Sequence, residues 1–185
     1  MKYASQDLRD EHDGILVGLD ILDSMVSRVK SGHKVEIDDL ADMIRFFRTF
    51  ADQCHHGKEE GLFFPALEQS GVANAKGPIG QMLLEHTQGR SHIAKMAESL
   101  KGQTADLDRF VEAAESYSIL LRAHIQKENK ILFPLADQSL AKDLQKSLLE
   151  GFEDHERNVM GENVHEQLHE LLHKFQHKYL PDFHR

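Results

Sequence analysis

The chain has little of several features that would point to particular structures or partners. It has one cysteine, Cys54, which excludes an internal disulfide, and only four prolines, which leaves long stretches free to form helices. No run approaches the roughly 18 uninterrupted apolar residues of a membrane-spanning helix. The first ten residues lack the apolar core of a signal peptide. These absences predict a soluble, cytoplasmic protein with no membrane partner.

Positive charge is also scarce. The chain has 22 lysines and arginines against 31 aspartates and glutamates, which gives a net charge of −9. Because binding to phosphates needs clustered cationic side chains, this balance argues against a nucleic-acid partner. A chain of 185 residues is long enough to bury one substantial core.

The sequence does contain one short pattern in two copies, 69 positions apart, with five of eleven positions identical. The copies are His55-x-x-Lys58-Glu59 followed by Phe64-Pro65, and His124-x-x-Lys127-Glu128 followed by Phe133-Pro134. A His and a Glu at i and i+4 lie on one face of a helix. A Glu-His pair precedes each copy, at Glu11-His12 and at Glu85-His86. We therefore interpret the chain as two repeats, each a helix with one His followed by a helix with a His and a Glu.

Apolar residues recur every three or four positions along most of the chain, which predicts an all-α fold. Helices are expected over 7–30, from about residue 37, from Pro78 and after residue 104. The inward stripe of the last of these is Leu107, Phe110, Ala114, Tyr117, Leu121, His124, Glu128, Ile131 and Leu135. Residues 1–137 are thus expected to form the bundle, and residues 138–185 an additional C-terminal helical segment that packs on the bundle or on a second subunit.

The duplicated His and Glu residues fall on these inward stripes. A buried carboxylate without a partner is costly, so Glu59 and Glu128 need cationic or metal partners or must be protonated. Imidazoles and carboxylates without a thiolate favour iron, manganese or zinc over copper(I), and the set is suited to two metal ions. His56 and Glu60 also stand at i and i+4, but His56 is rotated by about 100° from the stripe. We expect His56 to flank the site and Glu60 either to be solvated or to contact a ligand.

These motifs resemble, in this order, the hemerythrin-like family, also called the HHE cation-binding domain, over about residues 7–137. The motifs are Glu11-His12, the 54–60 stretch with Phe64-Pro65, Gly77-Pro78-Ile79 with Glu85-His86, and the 124–128 stretch with Leu132-Phe133-Pro134. The resemblance implies an up-down-up-down four-helix bundle with a non-haem di-iron centre, bridged by two carboxylates and an oxo or hydroxo group. The implied terminal ligands are His12, His55, His86 and His124, and the implied bridges are Glu59 and Glu128.

One departure from the family's oxygen carriers is that Arg90 stands where they have a fifth His. Five-His coordination is therefore expected to be lost, which leaves about two of about twelve coordination positions open or water-filled. The chain is then more similar to the iron-centre-repair and nitric-oxide-responsive members. The resemblance implies a protein that binds and reacts with dioxygen, nitric oxide or peroxide. A non-catalytic module that senses or stores oxygen or iron is the alternative, and whether the chain is an enzyme stays open.

Three residues near these motifs have two interpretations each. Tyr117 lies one heptad before His124, and it either donates a proton near the site or is a core tyrosine. Lys58 and Lys127 recur in both repeats, and they are either solvated charges beside the carboxylates or side chains that position the ligands.

The C-terminal segment contains a second metal-binding pattern. Its residues are His165, Glu166 and His169, which match the H-E-x-x-H motif of zinc hydrolases, and the row continues with His173 and His177. Because the segment offers no evident third ligand or substrate-binding strand, a zinc hydrolase is the weaker alternative. Glu156 or His165 is also a candidate extra ligand for the bundle. The apolar stripe of the last helix could form a homodimer contact.

Overall fold

The computed structural model describes residues 2–161 and 163–180, so Met1, Glu162 and the end of the predicted C-terminal segment at 181–185 lie outside the described range. Nearly all of the described chain is helical, and no strand occurs in it. The six helices are α1 (Ala4–Lys30), α2 (37–69), α3 (Pro78–Ser99), α4 (107–139), α5 (Lys142–Met160) and α6 (Val164–Tyr179). The predicted all-α fold is confirmed.

The first four helices form the bundle. Both α1 and α3 pack along α2 and along α4. Connections at 31–36, 70–77 and 100–106 are short, so consecutive helices run antiparallel. Pro78 opens α3, and the Asp106 carboxylate caps α4 by accepting the backbone N–H of Arg109 at 3.0 Å. This is the up-down-up-down arrangement that the family resemblance implied.

Two helices of the bundle contain π-helical turns. They are Phe47–His56 and Glu59–Phe63 within α2, and Glu128–Leu132 within α4. Pro65 and Pro134 are the second residues after the last two of these turns. A proline lacks the N–H and its ring clashes with the carbonyl four residues earlier, so a wider turn before it relieves the clash. Each π turn also rotates the following side chains away from the α-helical register.

This rotation changes which residues face inward at the end of α4. The sequence placed Ile131 and Leu135 on the inward stripe, but Ile131 is 60% exposed and Leu135 is exposed as well. Leu132, Phe133 and Ala136 are buried instead. The prediction was wrong because it continued the 3.6-residue period through a π-helical turn.

The apolar core is divided into two clusters. One fills the end of the bundle near the 31–36 and 100–106 connections, and the other surrounds Phe63 and Phe133 at the opposite end. On α1, Leu8 belongs to one cluster and Ile15 to the other, and His12 lies between them. A layer of buried polar side chains therefore separates the clusters. Its imidazoles and carboxylates are His12, His55, His56, Glu59, His86, His124 and Glu128.

The two C-terminal helices pack on the outside of the bundle, α5 against α2 and α1, and α6 against α1. The Gln145 side chain accepts the backbone N–H of Ala4 at 2.9 Å. The Tyr179 hydroxyl donates to Asp39, and the Ser24 hydroxyl donates to the carbonyl of Tyr179 at 2.6 Å. Polar contacts thus fix both ends of the extension to the bundle. No helix in the described ranges has the length and apolar character needed to cross a membrane.

Candidate metal centre

Seven buried side chains converge at mid-bundle in two overlapping groups. One group is His12, His55, Glu59 and Glu128, and the other is His56, Glu59, His86 and His124. Within each group, one nitrogen or oxygen from every residue lies within 4.8 Å of the others. Because Glu59 belongs to both groups, two metal ions held here would share its carboxylate.

Each of the two central carboxylates contacts imidazoles from both halves of the bundle, where the first half is α1 with α2 and the second half is α3 with α4. The distances from Nε2 to the nearest carboxylate oxygen are 3.6 Å for His55 and Glu59, 3.4 Å for His86 and Glu59, 3.2 Å for His12 and Glu128, and 3.3 Å for His124 and Glu128. Both i, i+4 pairs therefore lie on one helix face, as their spacing predicted.

The outer nitrogen of each of these four imidazoles has its own hydrogen-bond acceptor. Nδ1 of His12 donates to Asn129 at 2.9 Å, that of His55 to Glu11 at 2.8 Å, that of His86 to Glu60 at 2.7 Å and that of His124 to Glu85 at 2.9 Å. A proton on Nδ1 leaves the lone pair of Nε2 directed into the layer. Metalloproteins orient their histidine ligands in this way.

These acceptors follow a rule that sequence reasoning missed. Glu11 and Glu85, which each precede a His, hold the His on the next helix. Glu60 and Asn129, which each follow a central Glu, hold the His of the opposite half. The repeated Glu-His pair was the available signal for the first two residues. Asn129 gave no such signal, because the residue at the corresponding position of the first copy is Glu60, so identity between the copies does not mark this position.

The Phe-Pro motifs place an aromatic wall over the layer. The Phe64 ring stacks on His86 with centroids 5.8 Å apart, and the Phe133 ring stacks on His12 with centroids 5.4 Å apart. Each phenylalanine again covers a His of the opposite half. The rings exclude water from one side of the layer and restrict the orientation of the two imidazoles.

Several inward atoms of the layer have no hydrogen-bond partner among the described groups. They are Nε2 of His12 and His55, both ring nitrogens of His56, and both carboxylate oxygens of Glu59 and of Glu128. Buried polar atoms without partners destabilise a fold, and such atoms are rare in native cores. Here they converge on one place and are all metal-ligating types. The residues present therefore fit metal ions.

The charges in this layer depend on one another. Burial opposes ionisation of His124, yet Glu128 and Glu85 raise its pKa to about 10. Burial likewise opposes ionisation of Glu128, yet His124 and His12 hold its pKa well below the usual range. Against burial, His55 and Lys58 lower the pKa of Glu11 to about 2. The carboxylates of Glu128 and Glu11 thus stay ionised and favour positive charge nearby, either on a protonated imidazole or on a metal ion. Protons and metal ions therefore compete for the imidazoles.

His56 was predicted to point away from the site, and this prediction was wrong. Its ring is buried and stacks on His86 with centroids 3.9 Å apart. The π-helical segment that ends at His56 turns by less than the 100° per residue of an α-helix, so His55 and His56 both face inward. Burial and the imidazoles of His86 and His124 lower the pKa of His56 well below its usual value, which keeps the ring neutral and able to bind metal.

A fifth imidazole is therefore available, but from α2 rather than from the α3 position where Arg90 stands. The expectation that only four imidazoles surround the layer was therefore wrong. If His56 binds, about one coordination position remains open instead of about two. The Arg90 guanidinium donates to Asp52 at 2.8 Å and to Glu60 at 2.7 Å. The same Glu60 oxygen accepts from His86, so Arg90 helps to position the acceptor of that imidazole. Glu60 thus contacts His86, one of the predicted ligands.

The two repeated lysines have different surroundings. Lys58 is only 1% exposed, and its ammonium donates to Glu11 at 2.6 Å and to Glu156 of α5 at 3.1 Å. The Lys127 side chain is 38% exposed and pairs with Glu85. The solvated interpretation is therefore wrong for Lys58. Glu156, which was a candidate extra ligand, contacts Lys58 and belongs to neither group of the layer.

Cys54 is buried beside these charges. It forms a third cluster with Glu11 and Glu156, with one donor atom from each within 4.8 Å of the others. Burial raises the pKa of the Cys54 thiol to about 12, so it remains protonated. The Lys58 ammonium pairs with both carboxylates, and Glu11 also accepts from His55, so these carboxylates have cationic or hydrogen-bonding partners from the protein itself.

Tyr117 is buried against Phe47, with the two rings edge to face and their centroids 5.0 Å apart. Burial raises the pKa of its phenol. Its hydroxyl forms no hydrogen bond with any described residue, and therefore none with the layer. The role of Tyr117 as a proton donor stays a prediction.

The H-E-x-x-H residues lie on the exposed face of α6. His165, Glu166 and His169 all face solvent, and Nε2 of His165 lies 3.8 Å from a Glu156 oxygen. Over the described part of the chain, no set of three converging donors includes any of the motif residues. The structure thus provides no three-ligand site for the hydrolase motif within those residues.

Comparison with known families agrees with this geometry. The model of the hemerythrin HHE cation-binding domain matches residues 4–136, which includes all seven side chains of the layer. Neither the curated proteins nor the solved structures gave a match. The match covers more than half of the chain, and the resemblance inferred from the motifs is confirmed. The chain therefore belongs to the hemerythrin HHE cation-binding domain family.

Proposed function

We propose that this protein is a non-haem di-iron protein of the cytoplasm that binds dioxygen, nitric oxide or peroxide and reacts with it, in stress response or in repair of iron centres. The observation that supports this proposal is the pair of overlapping buried groups that share Glu59. A layer built only to stabilise the fold would have hydrogen-bonded its polar atoms to one another, whereas several of these atoms make no hydrogen bond among the described residues.

The residues divide into two positions. His12 and His55 would hold one ion, the imidazoles of His56, His86 and His124 would hold the other, and Glu59 and Glu128 would lie between them. Nitrogen and oxygen donors without a thiolate suit iron, with manganese and zinc as substitutes. A bound iron pair supplies two adjacent Lewis acids that can each exchange an electron.

The protein groups around the layer favour a small ligand of low polarity. Phe133 lies over His12, Phe64 lies over His86, and apolar clusters fill the bundle on both sides. These walls exclude bulk water and hydrated ions, while a diatomic molecule loses little solvation on entry. The position at His12 and His55 has fewer imidazole donors, so an ion there would keep more coordination positions for such a ligand.

The deciding experiment is metal content together with the optical spectrum of aerobically purified protein, compared with His124→Ala. We expect about two irons per chain and the near-ultraviolet absorption of an oxo-bridged ferric pair, with both lost in the variant. The exposed His33 provides the control, since His33→Ala should retain both signals. One zinc per chain that survives His124→Ala would overturn the proposal.

A second measurement separates a reactive protein from a carrier or sensor. Consumption of nitric oxide or peroxide by the reduced protein, abolished in His124→Ala, would support reaction. Binding that reverses fully when the gas is removed, with no ligand consumed, would instead identify a non-catalytic binding module.

A further inference from the structure

Helix α6 presents a row of imidazoles to solvent, outside the region that the family model matches. The row is His165, His169, His173 and His177, each one turn after the previous one. All four are exposed, whereas Leu168, Leu172 and Phe175 on the other side of the helix are buried against the bundle. The row is therefore held on a docked helix and faces outward.

Within the row, one pair already has the geometry of a chelate. The Nε2 atoms of His173 and His177 form a hydrogen bond at 3.3 Å, with the ring centroids at 4.5 Å, and a zinc ion bound between them would replace this hydrogen bond at nearly the same separation. Two Zn–N bonds of about 2.0–2.1 Å at a tetrahedral angle place the nitrogens about 3.3–3.4 Å apart. In the buried layer, Nε2 of His86 and Nε2 of His124 have nearly the same separation, 3.2 Å.

We propose that His173 and His177 form a two-imidazole clamp for a zinc ion on the surface of α6, separate from the buried centre. Neutral imidazole is a preferred ligand of zinc, and the remaining tetrahedral positions can be filled by water or by other side chains. Mg²⁺ and Ca²⁺ prefer oxygen ligands, so the clamp discriminates against them. Square-planar ions require neighbouring ligands at 90°, which needs a shorter N–N distance than the one observed.

The clamp also has a structural consequence, because it spans one turn of α6 next to the anchor of that helix. Lys178 and Tyr179, directly after His177, both donate to Asp39 on α2. Zinc bound at i and i+4 stabilises only the helical form of this segment, so binding adds to the stability of the docked helix. The clamp would make the attachment of the C-terminal extension dependent on zinc.

The other pair in the row offers a matched control. The rings of His165 and His169 also have centroids 4.5 Å apart, but His165 lies 3.8 Å from the Glu156 carboxylate and its ring lies 6.2 Å from that of Phe50. Replacement of this pair removes the same number of imidazoles from the same helix face. The control therefore tests the local geometry rather than the number of histidines.

The test is calorimetric titration of ZnCl2 into the full-length protein with its buried centre loaded, so that only additional, exchangeable zinc is counted. We expect one such site in the parent. His173→Gln with His177→Gln should remove it or weaken it at least about tenfold, because loss of a direct ligand exceeds the effect of losing a supporting contact. His165→Gln with His169→Gln should leave it unchanged.

Hydrogen exchange of α6 gives a second measurement. Zinc should slow exchange over 173–179 in the parent and in the control, but not in the His173/His177 variant. Equal zinc binding by that variant, or loss of binding only in the His165/His169 variant, would overturn the proposal. The result does not depend on the metal in the buried centre, so failure of the di-iron proposal would be separately visible.

Discussion

The first half of the bundle, α1 with α2, and the second half, α3 with α4, supply the same parts to the buried layer by the same plan. Each has a Glu-His pair on its first helix and a His, Lys and Glu on its second. In each, the Glu of the pair accepts a hydrogen bond from the His of the next helix. Beside this plan, the halves differ in two residues that contact the layer and in the surroundings of the repeated lysine.

The first half has one more imidazole beside the layer, a charged rather than a neutral acceptor behind an imidazole, and a buried rather than a partly exposed lysine. His56 in the first half corresponds to Ile125 in the second, and Glu60 corresponds to Asn129. Lys58 is buried beneath α5, whereas its counterpart Lys127 is partly exposed. In the proposed di-metal centre, these differences make the two metal positions unequal. His86 has a carboxylate behind it and two imidazoles beside it, while His12 has a neutral amide behind it.

The largest effect is expected where the halves share a residue. Glu59→Gln removes the only carboxylate that belongs to both groups, so we expect loss of nearly all bound metal from both positions. The measurement is metal content per chain after gel filtration. Glu68→Gln, on an exposed part of the same helix, is the control. Retention of half of the metal in Glu59→Gln would show that the two positions bind independently.

The next effect separates the two lysines. Lys58→Met leaves Glu11 and Glu156 without their cation in a buried place, which should lower the free energy of unfolding by about 3 kcal/mol. Lys127→Met breaks a partly exposed pair and should cost less than about 1 kcal/mol. Urea unfolding of both variants measures this difference. Equal destabilisation would mean that the burial of Lys58 has no energetic consequence.

A third experiment removes the extra donor. His56→Ile gives the first half the residue that the second half has at this place. The position near His86 and His124 should then bind metal roughly 10- to 100-fold more weakly, with the other position retained. Chelator competition measures the two affinities, with Ile125→Val as the control for a change in packing. Two unchanged affinities would exclude His56 as a ligand.

The smallest effect is expected at the acceptors behind the imidazoles. Glu60→Gln makes the partner of His86 neutral, and Asn129→Asp makes the partner of His12 charged. A charged acceptor makes the imidazole a stronger ligand. The rate of metal removal by a chelator should therefore rise in the first variant and fall in the second, each by roughly tenfold or less. Changes in the same direction would contradict this explanation of the inequality.

The sequence predicted the features that follow from helical periodicity and repeated spacing. The i, i+4 pairs His55 with Glu59 and His124 with Glu128 required only that both residues lie on a helix face. Pro78 marked the start of α3 because it fits the first turn. The order of motifs then indicated the family, and with it the antiparallel bundle.

What the sequence did not predict depends on departures from that periodicity and on packing between distant segments. The inward position of His56 and the exposure of Ile131 both follow from π-helical turns, which a 3.6-residue period does not include. Lys58 is buried because α5, about 100 residues later in the chain, places Glu156 over it. No local pattern around Lys58 contains that information.

The crossed contacts described above have one more consequence. Glu60 and Phe64 of the first half contact His86 of the second half, one by a hydrogen bond and the other by ring stacking. Asn129 and Phe133 of the second half contact His12 of the first half in the same two ways. Each half therefore depends on the other to position one of its imidazoles. In the proposed centre, a bound ion would contact side chains from both halves, so we expect metal binding and pairing of the halves to be coupled during assembly of the protein.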